Sequence, residues 1–183
     1  MDRDTEQVLD EYLVVLACSG SRPALGALVT RWSPRLLRHA SRSLANAEAA
    51  RDAVQEAWMS AVRNLSRLED PGRFGPWIYE ITTRKCLDAM RRAVRGRRLA
   101  ARAENELAAN GASHSSPDGV GLDLTVAIRR LPLEQRLAVS LHYGEDLAVE
   151  EVAAVLGVPA GTIKSRLHNA RRTLRTYLEG DIP

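Results

Sequence analysis

Residues 148–175 read AVEEVAAVLGVPAGTIKSRLHNARRTLR, and they predict two helices joined by a short turn. Apolar residues recur at helical spacing in the first part. Gly157 can then take the left-handed conformation that ends a helix, and Pro159 prevents that helix from continuing. The second part carries one apolar stripe, formed by Ile163, Leu167, Ala170 and Leu174. This arrangement is typical of a helix-turn-helix.

The side opposite that stripe is basic and polar, and no Asp or Glu occurs between Gly161 and Tyr177. It presents Ser165, His168, Asn169 and Arg172, with Lys164, Arg171 and Arg175 at its flanks. A solvated basic helix at a domain edge is the alternative, but solvated faces usually mix charges of both signs. We therefore expect the second helix to enter a DNA groove.

Composition favours small helical bundles that bind a polyanion. The 183 residues suit one domain or two small ones, and aromatic residues make up only 4%, so the cores must be built from Leu, Val and Ala. The net charge is only +3, but basic residues cluster at 84–102 and 164–175. We expect no membrane insertion and a cytoplasmic location, because no long apolar run or signal-peptide pattern occurs.

No residue cluster points to catalysis or metal chemistry. Cys18 and Cys86 lie far apart without a CxxC motif, so we expect two small buried thiols, with a regulatory disulfide as the alternative. His114 has no Cys, His or carboxylate neighbours at ligand spacing. The sequence therefore predicts no metal site, no cofactor and no enzymatic activity.

The N-terminal half predicts three helices. Residues 1–18 form an amphipathic pattern, and Ser21 can cap a second helix in which Pro34 should cause a bend or a restart. Asn46 can cap a third over Ala47–Leu65. Its core stripe is formed by Ala50, Val54, Ala57, Trp58, Ala61 and Val62, and a second side carries Asp52, Gln55, Glu56, Met59 and Arg63. That second side is either a partner surface or an ordinary polar face.

A loop and a basic helix follow. Pro and Gly residues make 66–76 a loop, in which Phe74 stands beside Arg73 and just before Trp77. Exposed aromatic and cationic groups can stack on unpaired bases; alternatively, Phe74 and Trp77 fill the core. The helix from Trp77 to about Arg95 ends in a dense positive segment suited to phosphates, although a solvated basic end is the competing interpretation.

A change of composition divides the chain. Residues 105–121 are small, polar and rich in Gly and Pro, which predicts a flexible linker. Two helices over Leu124–Leu131 and Leu133–Tyr143, broken by Pro132, then lead into the helix-turn-helix. We expect an all-α protein of two small helical domains, the second a four-helix unit at about 122–180.

Five motifs occur in the order and spacing of the bacterial extracytoplasmic-function (group IV) sigma factors, which residues 21–180 resemble. They are DAVQEAW (52–58), WIYEI (77–81), LDAMRR (87–92), RLPLEQR (130–136) and GVPAGTIKSRLHNAR (157–171). The resemblance implies region 2 and region 4 joined by a flexible linker. It divides residues 21–180 into region 2 (21–98), the linker (99–121) and region 4 (122–180). Residues 1–20 match no family motif and form an N-terminal helical extension.

The resemblance also implies roles for individual residues. Contact with core RNA polymerase is expected from Asp52, Gln55, Glu56 and Met59. The minus-10 promoter element is expected to meet Arg73, Phe74, Trp77, Arg84, Lys85, Arg91 and Arg92. The minus-35 element is expected to meet Thr162, Lys164, Ser165, His168, Asn169, Arg171, Arg172 and Arg175.

The function implied is that of an alternative sigma factor, which directs core polymerase to specific promoters in a stress or envelope response and is held by an anti-sigma factor. The alternative is a stand-alone helix-turn-helix regulator, which would leave the Asp52–Met59 face and the Phe74 loop unexplained.

The chain departs from the family pattern at two places. We therefore expect its minus-10 contacts and its minus-35 preference to differ from those of other members. Thr83-Arg84-Lys85 lacks the Asn that many members carry, and His168 and Asn169 replace residues that are often basic or apolar.

Overall fold

The structure is a computed structural model that describes residues 3–44, 46–105 and 124–179, without the side chains of 3–4, 98–105, 125 and 178–179. Every regular element in these ranges is helical, so the all-α prediction is confirmed. The helices are α1 (Arg3–Cys18), α2 (Arg22–Ser43), α3 (Ala47–Asn64), α4 (Phe74–Asn105), α5 (Leu124–Arg130), α6 (Leu133–Val139), α7 (Val149–Leu156) and α8 (Ala160–Glu179). Short 3₁₀ turns occupy Leu65–Arg67 and Pro71–Arg73, and a π turn spans Ser140–Gly144.

Local sequence signals set most helix ends. The Ser21 hydroxyl accepts the Ala24 N–H at 3.4 Å and caps α2, and the Asn46 side chain accepts the Glu48 N–H at 2.8 Å and caps α3. Gly157 ends α7 with φ +64°, as predicted. Of the two alternatives at Pro34, the restart is excluded, because α2 is a single helix through this residue. The end of α4 differs from the expectation, because this helix continues to Asn105, ten residues past its predicted end.

Helices α1–α4 pack around Trp32 of α2. The Phe74 ring meets the Trp32 ring edge-on at 5.3 Å between centroids, and the Tyr79 ring lies at 5.8 Å. Gly75 allows this close packing, because an added Cβ would lie 3.0 Å from the Trp32 ring. Most of the predicted α3 stripe is buried, but Val62 is 49% exposed, so its placement in the core was wrong.

Helices α5–α8 form the second unit, around fully or nearly fully buried Leu141, Val152 and Ile163. Helices α6 and α7 both pack on α8, which holds the helix-turn-helix against the rest of this unit. The two units also contact each other directly, because α7 packs on α4 and α2 meets both α6 and the π turn. The first residues assigned to the linker, 99–105, belong to α4, and the predicted linker lies outside the described residues from 106 onward.

Candidate functional site

The outer face of α8 is positioned by a buried stripe on its opposite side. Ile163 and Ala170 are fully buried and Leu167 is 4% exposed, while Leu174 is half-buried. The predicted minus-35 residues lie on the other side and are exposed: Lys164, Ser165, His168, Asn169, Arg171, Arg172 and Arg175. Thr162 is half-buried. The structure therefore brings these side chains together on one solvent-facing surface.

Arg166 is a basic residue of α8 that does not belong to this surface. Its guanidinium lies 2.6 Å from the Glu134 carboxylate of α6, and its side chain is only 19% exposed. The Ser165 hydroxyl donates to the Gly161 carbonyl at 3.1 Å, one turn earlier in the helix. Arg166 thus stabilises the unit. Asn169, by contrast, is exposed, and its side-chain amide has the donor and acceptor that can pair with adenine in the major groove.

The second surface lies on α3. Asp52 and Gln55 are exposed, Glu56 is half-buried, and Met59 is 48% exposed. Val62 follows Met59 by three residues and extends the apolar part of this surface. The sequence pattern did not assign Val62 to the surface. Its spacing from Met59 could have indicated this, since residues three apart share a helix face. An apolar patch rimmed by polar groups is typical of a protein–protein contact.

Glu56 connects this surface to α4. One carboxylate oxygen lies 3.5 Å from the Lys85 ammonium, and the other lies 3.2 Å from the Arg92 guanidinium. Two further cations of α4 have carboxylate partners on the same helix, Arg84 with Glu80 at 2.7 Å and Arg91 with Asp88 at 2.9 Å. The pairs of Arg84 and Arg91 are exposed and that of Lys85 is half-buried. Pairs near solvent contribute only about 0–1 kcal/mol, so phosphates can replace them.

Phe74 requires a correction. It is the first residue of α4 and is 1% exposed, with its ring against Trp32 and 5.9 Å from the Trp77 ring. A ring enclosed in this way offers no face to a base, so the expectation of an exposed stacking aromatic was wrong and the core alternative holds. Arg73 is exposed, and Trp77 is half-buried. The turn before them is capped by Asp70, which accepts the Gly72 N–H at 2.9 Å.

The cysteines differ in environment. Cys86 is fully buried, and burial raises the pKa of its thiol to about 12. Cys18 is exposed, so the prediction of two buried thiols holds only for Cys86.

Within the described ranges, no group of three His, Cys, Asp or Glu side chains is placed to hold a metal ion. None of the described helices combines the length and apolar character needed to cross a membrane.

Two family models match the two units. The Sigma-70 region 2 model matches residues 28–96, and the Sigma-70 region 4 model matches residues 122–174. The chain is 36% identical over 162 residues to the ECF RNA polymerase sigma factor SigE of Mycolicibacterium smegmatis. That alignment covers 85% of this chain and 62% of SigE, so the chain spans less than two thirds of that relative.

Two solved structures share the fold. CnrH in complex with the cytosolic domain of CnrY has a TM-score of 0.69 at 26% identity, over 95% of this chain and 99% of that chain. The sigma factor RpoE of Bartonella quintana, in complex with the anti-sigma factor NepR, has a TM-score of 0.65 at 26% identity, over 84% of this chain and 96% of that chain.

The match to region 2 decides between the two functions that the sequence left open. A stand-alone helix-turn-helix regulator requires only residues 122–174, whereas residues 28–96 match the other conserved part of a sigma factor. The alternative of a stand-alone regulator was therefore wrong. Both family models, the relative and the two structures agree with the five sequence motifs: this chain belongs to the extracytoplasmic-function sigma factors of bacterial RNA polymerase.

Proposed function

We propose that this chain binds core RNA polymerase through α3, holds the minus-10 element with α4 and the turn before it, and reads the minus-35 element with α8. The observation that carries the proposal is that the α3 surface and the outer face of α8 are both exposed, one on each unit of a single chain. The units correspond to region 2 at 21–98 and region 4 at 122–180, with 1–20 as an N-terminal extension. Residues 99–121 are the linker, and α4 continues into its first part as far as Asn105.

Polymerase binding is assigned to Asp52, Gln55, Glu56 and Met59, to which we add Val62. Acidic and amide groups around two exposed apolar side chains suit a basic, partly apolar partner surface. The carboxylates would steer the encounter, and burial of the apolar pair would slow dissociation. Because the same face contains few residues that support the core, substitutions there should leave the fold intact.

Minus-10 binding is assigned to Arg73, Trp77, Arg84, Lys85, Arg91 and Arg92, with Phe74 holding the start of α4 in place rather than touching DNA. The phosphate contacts would come from the four exposed arginines and from Lys85, which is half-buried. Strand opening on such a surface needs no hydrolysis, since each captured base contributes about 1–3 kcal/mol of stacking. This function requires no catalytic residue and no cofactor, and we infer that the protein is a cytoplasmic initiation factor and not an enzyme.

Minus-35 binding is assigned to the exposed residues of α8. His168, Asn169 and Arg172 lie opposite the buried stripe and would meet base edges. At the flanks of this face, Lys164, Arg171 and Arg175 would meet phosphates. Thr162 and Ser165, near the start of α8, would contact the backbone or a base edge. This division separates the residues that determine the promoter from those that only strengthen binding.

We also infer that an anti-sigma factor holds this chain until a stress or envelope signal releases it. RpoE of Bartonella quintana was solved with its anti-sigma factor, and CnrH with the cytosolic domain of CnrY. The similarity of fold to both supports an equivalent partner here.

Run-off transcription tests the proposal. Core polymerase is incubated with fragments of the source genome, with and without the protein, and the transcripts are sequenced from their 5′ ends. We expect new start sites that share two upstream elements. A variant with Arg171 and Arg172 both changed to Ala serves as the control, because it should lose these starts while still binding core. The absence of any protein-dependent start would contradict the proposal.

A further inference from the structure

The two units meet across polar contacts that no sequence motif predicts. Glu145 follows the π turn of the C-terminal unit, and its side chain is only 2% exposed. Arg42 of α2 places its guanidinium 2.8 Å from one carboxylate oxygen, and the Tyr79 hydroxyl of α4 donates to the other at 2.5 Å. One carboxylate of the C-terminal unit is therefore held by two helices of the N-terminal unit.

His39 forms a second link. Its side chain is fully buried, with Nδ1 3.3 Å from the Ser140 hydroxyl of the C-terminal unit and Nε2 2.9 Å from the Thr83 hydroxyl of α4. Nearby, the Arg136 guanidinium of α6 donates to the Ser43 carbonyl of α2 at 3.2 Å. Each of these pairs joins residues that are 44 or more positions apart in the chain.

Such contacts favour one arrangement of the units over others. Buried polar and charged groups are tolerated only when their partners are correctly placed. A shifted docking would leave Glu145 without its partners and His39 without Ser140, although His39 would keep Thr83 of its own unit. Apolar contact alone would permit sliding. The polar contacts therefore specify the closed arrangement, in which α7 packs on α4.

The closed arrangement cannot serve both promoter elements at once. The minus-10 and minus-35 elements are about 25 base pairs apart, or about 85 Å of duplex. A compact chain of 183 residues has a radius of gyration of about 16 Å and hence a diameter of roughly 40 Å. In addition, Ala154 and Val155 of α7 line one cleft together with Arg73 and Trp77, on the surface assigned to the minus-10 element. The units must separate before a promoter is engaged.

We propose that His39, Arg42, Tyr79, Thr83, Ser140 and Glu145 form an interdomain latch, which holds the free protein closed without any partner. The consequence for promoter binding rests on the proposed function, whereas the closure itself does not. Because the α3 surface and the outer face of α8 stay exposed in the closed state, core polymerase can dock before the latch opens.

Two variants open the latch by different means. Glu145→Gln keeps the size of the side chain but removes the charge that holds Arg42. Gly144→Ala removes no polar group; its added Cβ would clash with the Arg42 guanidinium and displace it from Glu145. The matched control is Glu134→Gln, which breaks an ion pair with Arg166 inside the C-terminal unit. All three are made in the full chain, and far-UV circular dichroism verifies that each remains helical.

Small-angle X-ray scattering of the free protein gives the readout. We expect a radius of gyration of about 16–18 Å for the wild type and Glu134→Gln, and above about 21 Å for Glu145→Gln and Gly144→Ala. Wild-type values for both helical latch variants, or an expanded wild type, would overturn the latch. If the latch variants expand but no form of the protein supports run-off transcription, the latch stands and the proposed function fails.

Discussion

Glu56 of α3 and Lys85 of α4 form an ion pair of 3.5 Å that links the surface assigned to polymerase with the surface assigned to the minus-10 element. Arg92 shares the same carboxylate at 3.2 Å. A substitution of Glu56 therefore changes the charge of both surfaces, and its effect on transcription cannot be attributed to either one. Asp52, which is exposed on the same face of α3, provides the cleaner test.

Asp52→Lys should weaken core-polymerase binding by about tenfold or more, equivalent to about 1.4 kcal/mol, because the reversed charge would face a basic partner surface. The measurement is a competition titration against a labelled sigma factor. Glu150→Lys makes the same charge change at an exposed position of α7 and should bind core like the wild type. Equal affinity of Asp52→Lys and wild type would remove α3 from the polymerase contact.

Phe74→Ala should lower the free energy of unfolding by about 3–5 kcal/mol, since it leaves a cavity against Trp32. Arg73→Ala, at the exposed neighbouring position, should change it by less than about 0.5 kcal/mol but weaken binding to a single-stranded minus-10 oligonucleotide. Urea titrations and fluorescence anisotropy separate the two effects. A Phe74→Ala protein of normal stability that has lost only DNA binding would show that Phe74 stacks on a base after all.

The stability of the protein should fall as the pH drops below about 6.5, because of His39. Burial, and then the charge of Arg42, lower the pKa of this imidazole from 6.5 to about 4. Between these two values the unfolded chain binds a proton that the folded one does not, so protonation favours unfolding. Through His39 alone, the free energy of unfolding should fall by about 2 kcal/mol between pH 7.5 and pH 5.

His39→Gln isolates this contribution, because Gln does not titrate while still offering a donor and an acceptor to Thr83 and Ser140. Urea titrations at pH 7.5, 6 and 5 should show a shallower pH dependence for the variant than for the wild type, whatever its absolute stability. Parallel curves for the two proteins would mean that His39 does not contribute to the pH dependence.

Asn169→Ala should relax the preference at one or two minus-35 positions, since a bidentate contact to adenine contributes about 1–3 kcal/mol of discrimination. Arg171→Ala should instead weaken all promoters alike and reduce the salt dependence by about one phosphate contact. Holoenzyme containing each variant is titrated with minus-35 sequence variants at two salt concentrations. The reverse pattern would show that α8 lies in the groove in another orientation.

Local signals were sufficient to predict most helices and the outer face of α8. Capping by Ser21 and Asn46 and the left-handed Gly157 act within one turn, and the apolar stripe from Ile163 to Leu174 lies on a single helix. Residues that depend on distant neighbours were harder to place. Phe74 occurs in a Gly- and Pro-rich segment that suggests exposure, yet Trp32, some forty positions earlier, covers its ring.

The contacts between the units were beyond sequence reasoning for the same physical reason. His39 and Ser140 are 101 positions apart, and Arg42 and Glu145 are 103 apart, with no periodic pattern to relate them. Helical spacing alone was also insufficient to predict whether Val62 is buried. The spacing placed Val62 at the edge of the apolar stripe, but the neighbouring helices determine that Trp58 is covered and Val62 is not.

Run-off transcription from a promoter with an altered spacer tests whether one chain engages two promoter elements with two separate units. Adding five base pairs between the elements moves them about 17 Å further apart and turns the minus-35 element about half a turn around the duplex. Transcription that depends on this protein should then be lost, while substituting the spacer sequence at constant length should leave it nearly unchanged. Equal transcription from the original and the lengthened promoter would show that the two units do not engage the two elements together.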